Sequence, residues 1–312
     1  MGRVAQDIWE RIGCPICGTN ASDPFVQTFD RFDPEREPQY GIVQCRGCGF
    51  VYLNPRPKAD AMTTFYSQEG YDPFQTLEVK ASLYDRIYRL IREINLHWKL
   101  RFSSQAKAPG RLLDIGCATG EFPLRMQAKG WQVQGIETDP AAAAYARNRG
   151  VSVFKRVSEL EDNARYSLIT LWHVLEHIHD LRGVLQKIAR MSTPGGQLII
   201  AVPNIRSLDF QRYGKDWIAL DAPRHLYHFD RESMRSLIEP YGFHLAEIRP
   251  LIWDVFYNHL LSNMRKNRKF TGYLNAIIGI LISFLYSWFS SQRYTSSLVY
   301  RFIREKNDES TL

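Results

Sequence analysis

Along this chain the spacing of apolar and polar positions changes period several times, and each change marks an element. Five short runs, 112–115, 131–136, 151–154, 166–171 and 197–202, are apolar enough to be strands buried on both faces. The stretches 121–129, 141–149 and 181–191 between them repeat at helical spacing, and Gly150 stops the second. Asp230 is an N-cap residue opening a helix to 239, and 242–248 follows as a sixth strand. This alternation predicts a Rossmann-like α/β core beginning at Arg111. Upstream, 66–71 reads as an aromatic loop. From 77 to about 102, Leu83, Ile87, Leu90, Ile91, Ile94 and Trp98 recur at helical spacing with Arg86, Arg89, Arg92 and Glu93 between them. That helix either covers the core's ligand edge or only joins the two parts of the chain, with 103–110 as a linker.

The first strand runs into Asp114-Ile-Gly-Cys-Ala-Thr-Gly120. Gly116 and Gly120 allow a sharp turn and close approach of a ligand, and the helix that follows turns its first N–H groups toward the same place. The second strand ends in Glu137, where an acid reaches ribose hydroxyls in such a unit. The details speak against a dinucleotide. Ala118 stands where close approach of a pyrophosphate needs glycine, and Asp114 and Glu121 put negative charge where phosphates would sit. A nucleoside carrying an amino group and a sulfonium suits these acids better. With these residues the chain resembles the class I S-adenosylmethionine methyltransferases, through their first motif and ribose acid. The resemblance implies a seven-stranded sheet and a cofactor held by Asp114, Gly116, Cys117, Gly120 and Glu137. The alternative is an ordinary βα turn whose glycines serve only packing.

Two later segments carry titratable groups. Trp172-His-Val-Leu-Glu-His-Ile-His-Asp180 follows the fourth strand, at the carboxyl edge where ligands bind. It resembles the signature of methyltransferases acting on quinone precursors and nucleotide-linked sugars, which implies that Trp172 and His173 lie near the cofactor and that His177 faces the acceptor. His179 reads better as a helix cap. A His/Glu metal site competes, although the segment supplies no second ligand pair. Ser167 stands where the family commonly has aspartate, while Pro194, Gly195, Gly196, Pro203 and Asn204 match its fifth-strand segment. The connection 205–220 is longer than packing requires and carries Trp217. The run Arg224-His-Leu-Tyr-His-Phe229 resembles an acceptor-pocket motif of methyltransferases that carry a zinc ribbon. His225 is the first candidate for general base, with His177 second and Tyr227 orienting the acceptor; His228 and Phe229 read as structural. Sugar C-methyltransferases have an acid beside this histidine and this chain has Arg224, which leaves O-methylation at least as well supported.

Composition adds a second module. Cys14-Pro-Ile-Cys17-Gly18 and Cys45-Arg-Gly-Cys48-Gly49 are near-copies, and four thiolates at this spacing close a tetrahedral shell for structural zinc. Redox cysteines are the weaker alternative. The polar N-terminus lacks an apolar leader core, and with this cysteine usage it predicts a reducing, cytoplasmic location. The net charge of +7 is local: nine Lys/Arg face only Asp254 and Glu305 between 249 and 306. There the basic cluster Arg265-Lys-Asn-Arg-Lys269 precedes an uncharged, apolar run, 270–292, just before a last strand at 297–304. A single crossing would strand that last strand on the far side of the bilayer from its sheet, so the run is expected to lie on the cytoplasmic leaflet and contact lipid through 265–292. A homodimer interface, or packing on its own domain, are the competing expectations.

The expected units are a zinc ribbon (1–57), a helical lid or linker (58–110), a methyltransferase core (111–249 with 297–306) and an apolar, basic insertion (250–296). The expected activity is S-adenosylmethionine-dependent methyl transfer to a small acceptor, a sugar on a nucleotide or lipid carrier in polysaccharide biosynthesis. A quinone-precursor O-methyltransferase, an RNA methyltransferase and a non-catalytic binding protein of the same fold are the alternatives. No nucleic-acid partner is expected, since the basic residues sit beside an apolar run.

Overall fold

A computed structural model describes residues 8–32, 39–66, 83–105, 108–251, 262 and 295–306, with the side chains of the long helix described from Arg89 onward. The chain opens with five short strands: β1 (Trp9–Glu10), β2 (Ser22–Thr28), β3 (Tyr40–Cys45), β4 (Val51–Leu53) and β5 (Arg56–Pro57). Two helices follow, α1 (Thr63–Tyr66) and α2 (Leu83–Ser104). The core then runs β6 (Arg111–Ile115), α3 (Glu121–Gln127), β7 (Gln132–Ile136), α4 (Pro140–Asn148), β8 (Ser152–Phe154), β9 (Tyr166–Trp172), α5 (Leu181–Met191) and β10 (Ser192–Pro203). After α6 (Leu208–Tyr213) come β11 (Tyr227–His228), α7 (Arg231–Ile238), β12 (Phe243–Pro250) and β13 (Ser297–Arg304).

Seven of these strands form one sheet in the order β12-β13-β10-β9-β6-β7-β8, with β13 antiparallel to both its neighbours and the other pairs parallel. The apolar runs become strands because both faces are covered: Leu112, Leu113, Ile169, Leu171, Leu198 and Ile200 are all buried. Aspartates start the helices. Asp139 accepts from Ala142 N–H ahead of Pro140, Asp180 accepts from Gly183 N–H, and Asp230 forms a reciprocal box with Ser233. The start of α3 differs, because Gly120 has φ 79° and offers no side-chain cap. The strand expected at 197–202 is longer, beginning at Ser192 with an irregular register before Gln197.

The cysteine-bearing module does not stand apart. Its sheet has the order β11-β4-β3-β2, so its edge strand is β11, which belongs to the core; Tyr227 pairs with Tyr52 and His228 with Val51. Its other pairs are β2 with β3 and β3 with β4, all antiparallel. One apolar cluster runs from Cys14, Ile42 and Leu53 through Trp217, Tyr227 and Phe229 to Ile169 and Leu198. Residues 265–292, with the basic cluster and apolar run, lie outside the described residues, as does most of the 66–71 loop. Among the described residues, no helix is long and apolar enough to cross a membrane.

Candidate active site

The turn after β6 is pinned from behind. Gly116 and Cys117 donate their N–H groups to the Ile136 carbonyl at 2.8 and 3.0 Å. Gly116, Ala118 and Gly120 all have positive φ, and a Cβ at Gly116 would lie 2.2 Å from a Val174 methyl carbon, so glycine is required there. Glu137 stands at the end of β7 and accepts from Ala118 N–H and Asp139 N–H, each at 2.8 Å and each on a different oxygen. Asp114 is buried beneath the turn and accepts from the Thr170 hydroxyl at 2.6 Å. Burial pushes its carboxyl up to about 7, against the pull of that hydroxyl and of Lys99.

Helix α2 flanks this corner. Leu96, Leu100 and Phe102 are buried with Phe122, Met126 and Trp131, Arg92 pairs with Glu121, and Arg125 pairs with Glu93. The Lys99 ammonium lies 4.9 Å from the ring centre of Trp172, whose indole also meets Phe122 edge-on. Glu121, read from sequence as repelling phosphate, is thus partly neutralised by Arg92. Cys117 is buried between the turn and Gly135.

The second centre lies where β9 ends. Leu175–His177 forms a single 3₁₀ turn, and His173 before it is held at φ 58° with its N–H on the Ala201 carbonyl at 2.9 Å. The rings of His177 and His225 meet edge to face with centroids 4.6 Å apart, although 48 positions separate them in the chain. Nδ1 of His225 donates to the Ala219 carbonyl at 2.8 Å, and Nδ1 of His177 lies 3.1 Å from the Arg224 carbonyl and 3.0 Å from the Tyr66 hydroxyl. Burial, with His177 beside it, pushes His225 down to about 4, so its ring is neutral near pH 7. Glu176 is 0% exposed, and neither carboxylate oxygen has a hydrogen-bond partner; His173 Nδ1 is 3.5 Å away. Burial would raise this carboxyl, but the surrounding histidines, His173 first, outweigh it and hold the group below its usual range.

Around this pair the sequence expectations separate. Arg224 does not enter the pocket chemistry: it is 0% exposed, bonds Asp30, Asp221 and the Phe65 carbonyl, and lies over the Phe32 ring. The acid that the motif lacks beside His225 comes instead from Asp221, whose Oδ2 lies 3.9 Å from His225 Nε2. Burial would raise Asp221, but the Arg31 and Arg224 guanidiniums outweigh it and keep it ionised. The Tyr227 hydroxyl, expected to orient an acceptor, accepts from Arg56 at 2.7 Å and donates to the His179 carbonyl at 3.2 Å. It is a clamp between ribbon and core. His179 is not a helix cap; its Nε2 lies 3.0 Å from the Pro57 carbonyl, and Asp180 caps α5. His228 and Phe229 are buried. Asp30, Arg31, Thr170 and Asp221 were missed because no local motif marks them.

At the cysteine module the two knuckles are alike. Gly18 N–H bonds the Cys14 carbonyl and Gly49 N–H the Cys45 carbonyl, with both glycines at positive φ. Sγ of Cys14 lies 3.5 Å from that of Cys48, and Cys17 Sγ lies 3.4 Å from Cys45 Sγ. These spacings approach the edge of about 3.8 Å in a tetrahedron of zinc–sulfur bonds. Burial pushes the Cys14 thiol up, whereas the Thr19 hydroxyl and N–H bring Cys17 down to about 6. A buried thiolate here needs a cation, and all four sulfurs lie within 4.8 Å of one another. The donor set fits zinc.

A family profile described as "Methyltransferase domain" matches residues 84–248. The ubiquinone biosynthesis O-methyltransferase of Xanthomonas euvesicatoria is 25% identical over 181 residues, covering 53% of this chain and 76% of that one. The enzyme of that name from Hahella chejuensis is 27% identical over 195 residues, covering 57% of this chain and 80% of its own. Among solved structures, magnesium protoporphyrin IX methyltransferase of Synechocystis with bound SAH superposes with a TM-score of 0.52 at 12% identity, covering 80% of this chain and 100% of that one. Phosphoethanolamine N-methyltransferase 2 of Haemonchus contortus, in complex with S-adenosyl-L-methionine, gives 0.51 at 17% identity, with 82% and 63% covered. At these identities the structural likeness is one of fold.

Proposed function

This chain belongs to the methyltransferase-domain family and is an S-adenosylmethionine-dependent methyltransferase, and on that premise we propose that it O-methylates a small, polyhydroxylated acceptor. A sugar carried on a nucleotide or lipid in polysaccharide biosynthesis is the acceptor class we favour. The observation that carries this reading is the polar wall beside the cofactor corner: His177, His225, Glu176, Asp221 and Tyr66 gather at one end of the sheet. Of these the half-buried His177 and Tyr66 can reach an acceptor hydroxyl and the buried acids and His225 make the ground behind them polar, where a quinone-like ring would call for apolar surface. Quinone-precursor O-methylation is the second reading, favoured by the names of the relatives.

In the proposed site Glu137 binds the ribose hydroxyls, Gly116, Cys117 and Gly120 shape the turn against the nucleoside, Asp114 supports that turn, and Trp172 and His173 flank the methionine end. Catalysis comes from in-line positioning of the acceptor oxygen and the sulfonium methyl, with His225 or His177 taking the acceptor's proton. Tyr227 and Arg224 hold the loop that carries His225 against the ribbon, and zinc in the four cysteines keeps the ribbon folded. The segment 265–292 attaches the enzyme peripherally to the cytoplasmic face of a membrane. Incubation with labelled S-adenosylmethionine and a panel of nucleotide sugars and catechols tests the reading; label appearing only in catechols would overturn the sugar assignment. Flotation with anionic liposomes, with and without 270–292, tests attachment, and equal recovery of both forms in the soluble fraction would refute it.

A further inference from the structure

We propose that Glu176, His177 and His225 form a divalent-cation site, separate from the four cysteines, whose open positions take an oxygen of the acceptor. The part played by the acceptor rests on the methyltransferase reading; the site itself does not. One ligand atom from each residue lies within 4.8 Å of the others. Donors in a tetrahedral zinc shell lie about 3.4 Å apart, so ligation draws them in by up to about 1.4 Å, and the half-buried His177 has room to move.

Two further observations point to a ligand. Glu176 is fully buried with both oxygens lacking a hydrogen bond, an arrangement that a carboxylate tolerates only beside compensating positive charge. Both histidines direct Nδ1 at a backbone carbonyl, Arg224 for His177 and Ala219 for His225. The Ala219 carbonyl can only accept, so Nδ1 of His225 carries the hydrogen and its Nε2 keeps the lone pair; Nδ1 of His177 stands between the Arg224 carbonyl and the Tyr66 hydroxyl, and donation to that carbonyl gives it the same tautomer. Metal-binding histidines are oriented in this way. The nearest histidine nitrogen to the carboxylate is His173 Nδ1, at 3.5 Å, while the Nδ1 atoms of His177 and His225 face carbonyls instead.

Two imidazoles and one carboxylate select a zinc-like cation over magnesium, and three protein ligands leave room for substrate. A hydroxyl bound there loses its proton to water more readily. Its lone pair forms the O–CH₃ bond as the S–CH₃ bond breaks, and the sulfonium leaves as a neutral thioether. The cation thus takes over from the imidazoles the task of acidifying the acceptor.

The test uses full-length protein with zinc in the cysteine site, titrated with Co²⁺ and followed by visible absorption, alongside calorimetry with S-adenosylhomocysteine. Expected is one equivalent of Co²⁺ with nitrogen/oxygen-type bands, bound at least about tenfold more weakly by Glu176→Gln and His177→Ala. No uptake by the wild type, uptake unchanged in both variants, or only thiolate-to-cobalt charge-transfer bands would overturn the proposal. S-adenosylhomocysteine binding reports the fold of each variant, and the exposed edge of His177 keeps the test valid should Glu176→Gln misfold. A wild type that takes up Co²⁺ but fails to bind S-adenosylhomocysteine would sink the methyltransferase reading alone.

Discussion

Replacing Glu137 with alanine probes the cofactor corner most directly. Each oxygen of this carboxylate spends one acceptor position on a backbone N–H, from Ala118 or Asp139, at 2.8 Å. A carboxylate has about four acceptor positions. One on each oxygen therefore remains, which matches the two adjacent hydroxyls of a ribose. A hydrogen bond to a charged acceptor contributes about 1.5 kcal/mol at the lower end of its range, the appropriate end for a half-buried site. Losing both costs about 3 kcal/mol, or about 150-fold in Kd. Thermal stability should shift little, because both N–H groups lie where water can replace the carboxylate. Calorimetric titration of wild type and Glu137→Ala with S-adenosylhomocysteine measures the ratio. A Kd within threefold of wild type would mean that the ribose does not lie against Glu137, and the assignment of this corner would fall.

Four other predictions follow from the geometry. Cys45→Ser should lower zinc content from one per chain to near none and markedly lower Tm, because β4 carries β11 and the His225 loop; full zinc occupancy would contradict the four-cysteine site. Arg224→Lys should cost about 3–5 kcal/mol in urea unfolding, since lysine cannot span Asp30 and Asp221 together and leaves buried carboxylates short of a partner. A loss under about 1 kcal/mol would show the clamp to be dispensable. Tyr227→Phe should cost about 1–3 kcal/mol through the loss of its bonds to Arg56 and the His179 carbonyl, while S-adenosylhomocysteine affinity stays unchanged. Unchanged stability would contradict the clamp. For Asp114 the folded carboxyl, at about 7, lies above its unfolded value, so its contribution to stability is complete below pH about 4 and is lost as pH rises through about 7. Asp114→Asn should therefore flatten the Tm difference between about pH 5 and pH 8 in ligand-free protein, and a wild-type Tm that rises over this range would refute the assignment.

Much of the frame was readable before any coordinates. Continuous apolar runs gave the buried parallel strands, Asp230 marked the start of one helix, and Gly116 and Gly120 marked the turn; Asp139 and Asp180, which cap two others, went unread. The two cysteine pairs were equally legible, because metal ligation repeats at short spacing. The polar network was not. Arg224 read as a departure from a motif, but its partner Asp30 lies 194 positions away and no local rule connects them. Tyr227 read as an acceptor contact because a hydroxyl in a motif carries no label for direction; packing of β11 against β4 turned it toward Arg56.

Sequence alone therefore determined the elements and the local chemistry of each turn, since both depend on residues within about one helical turn or one strand of each other. Tertiary structure decided which elements meet. It made the ribbon sheet borrow its edge strand from the core, set His225 against His177 and left Glu176 buried between histidines. Such choices are made by long-range burial and charge compensation, which act between residues that the linear order keeps apart.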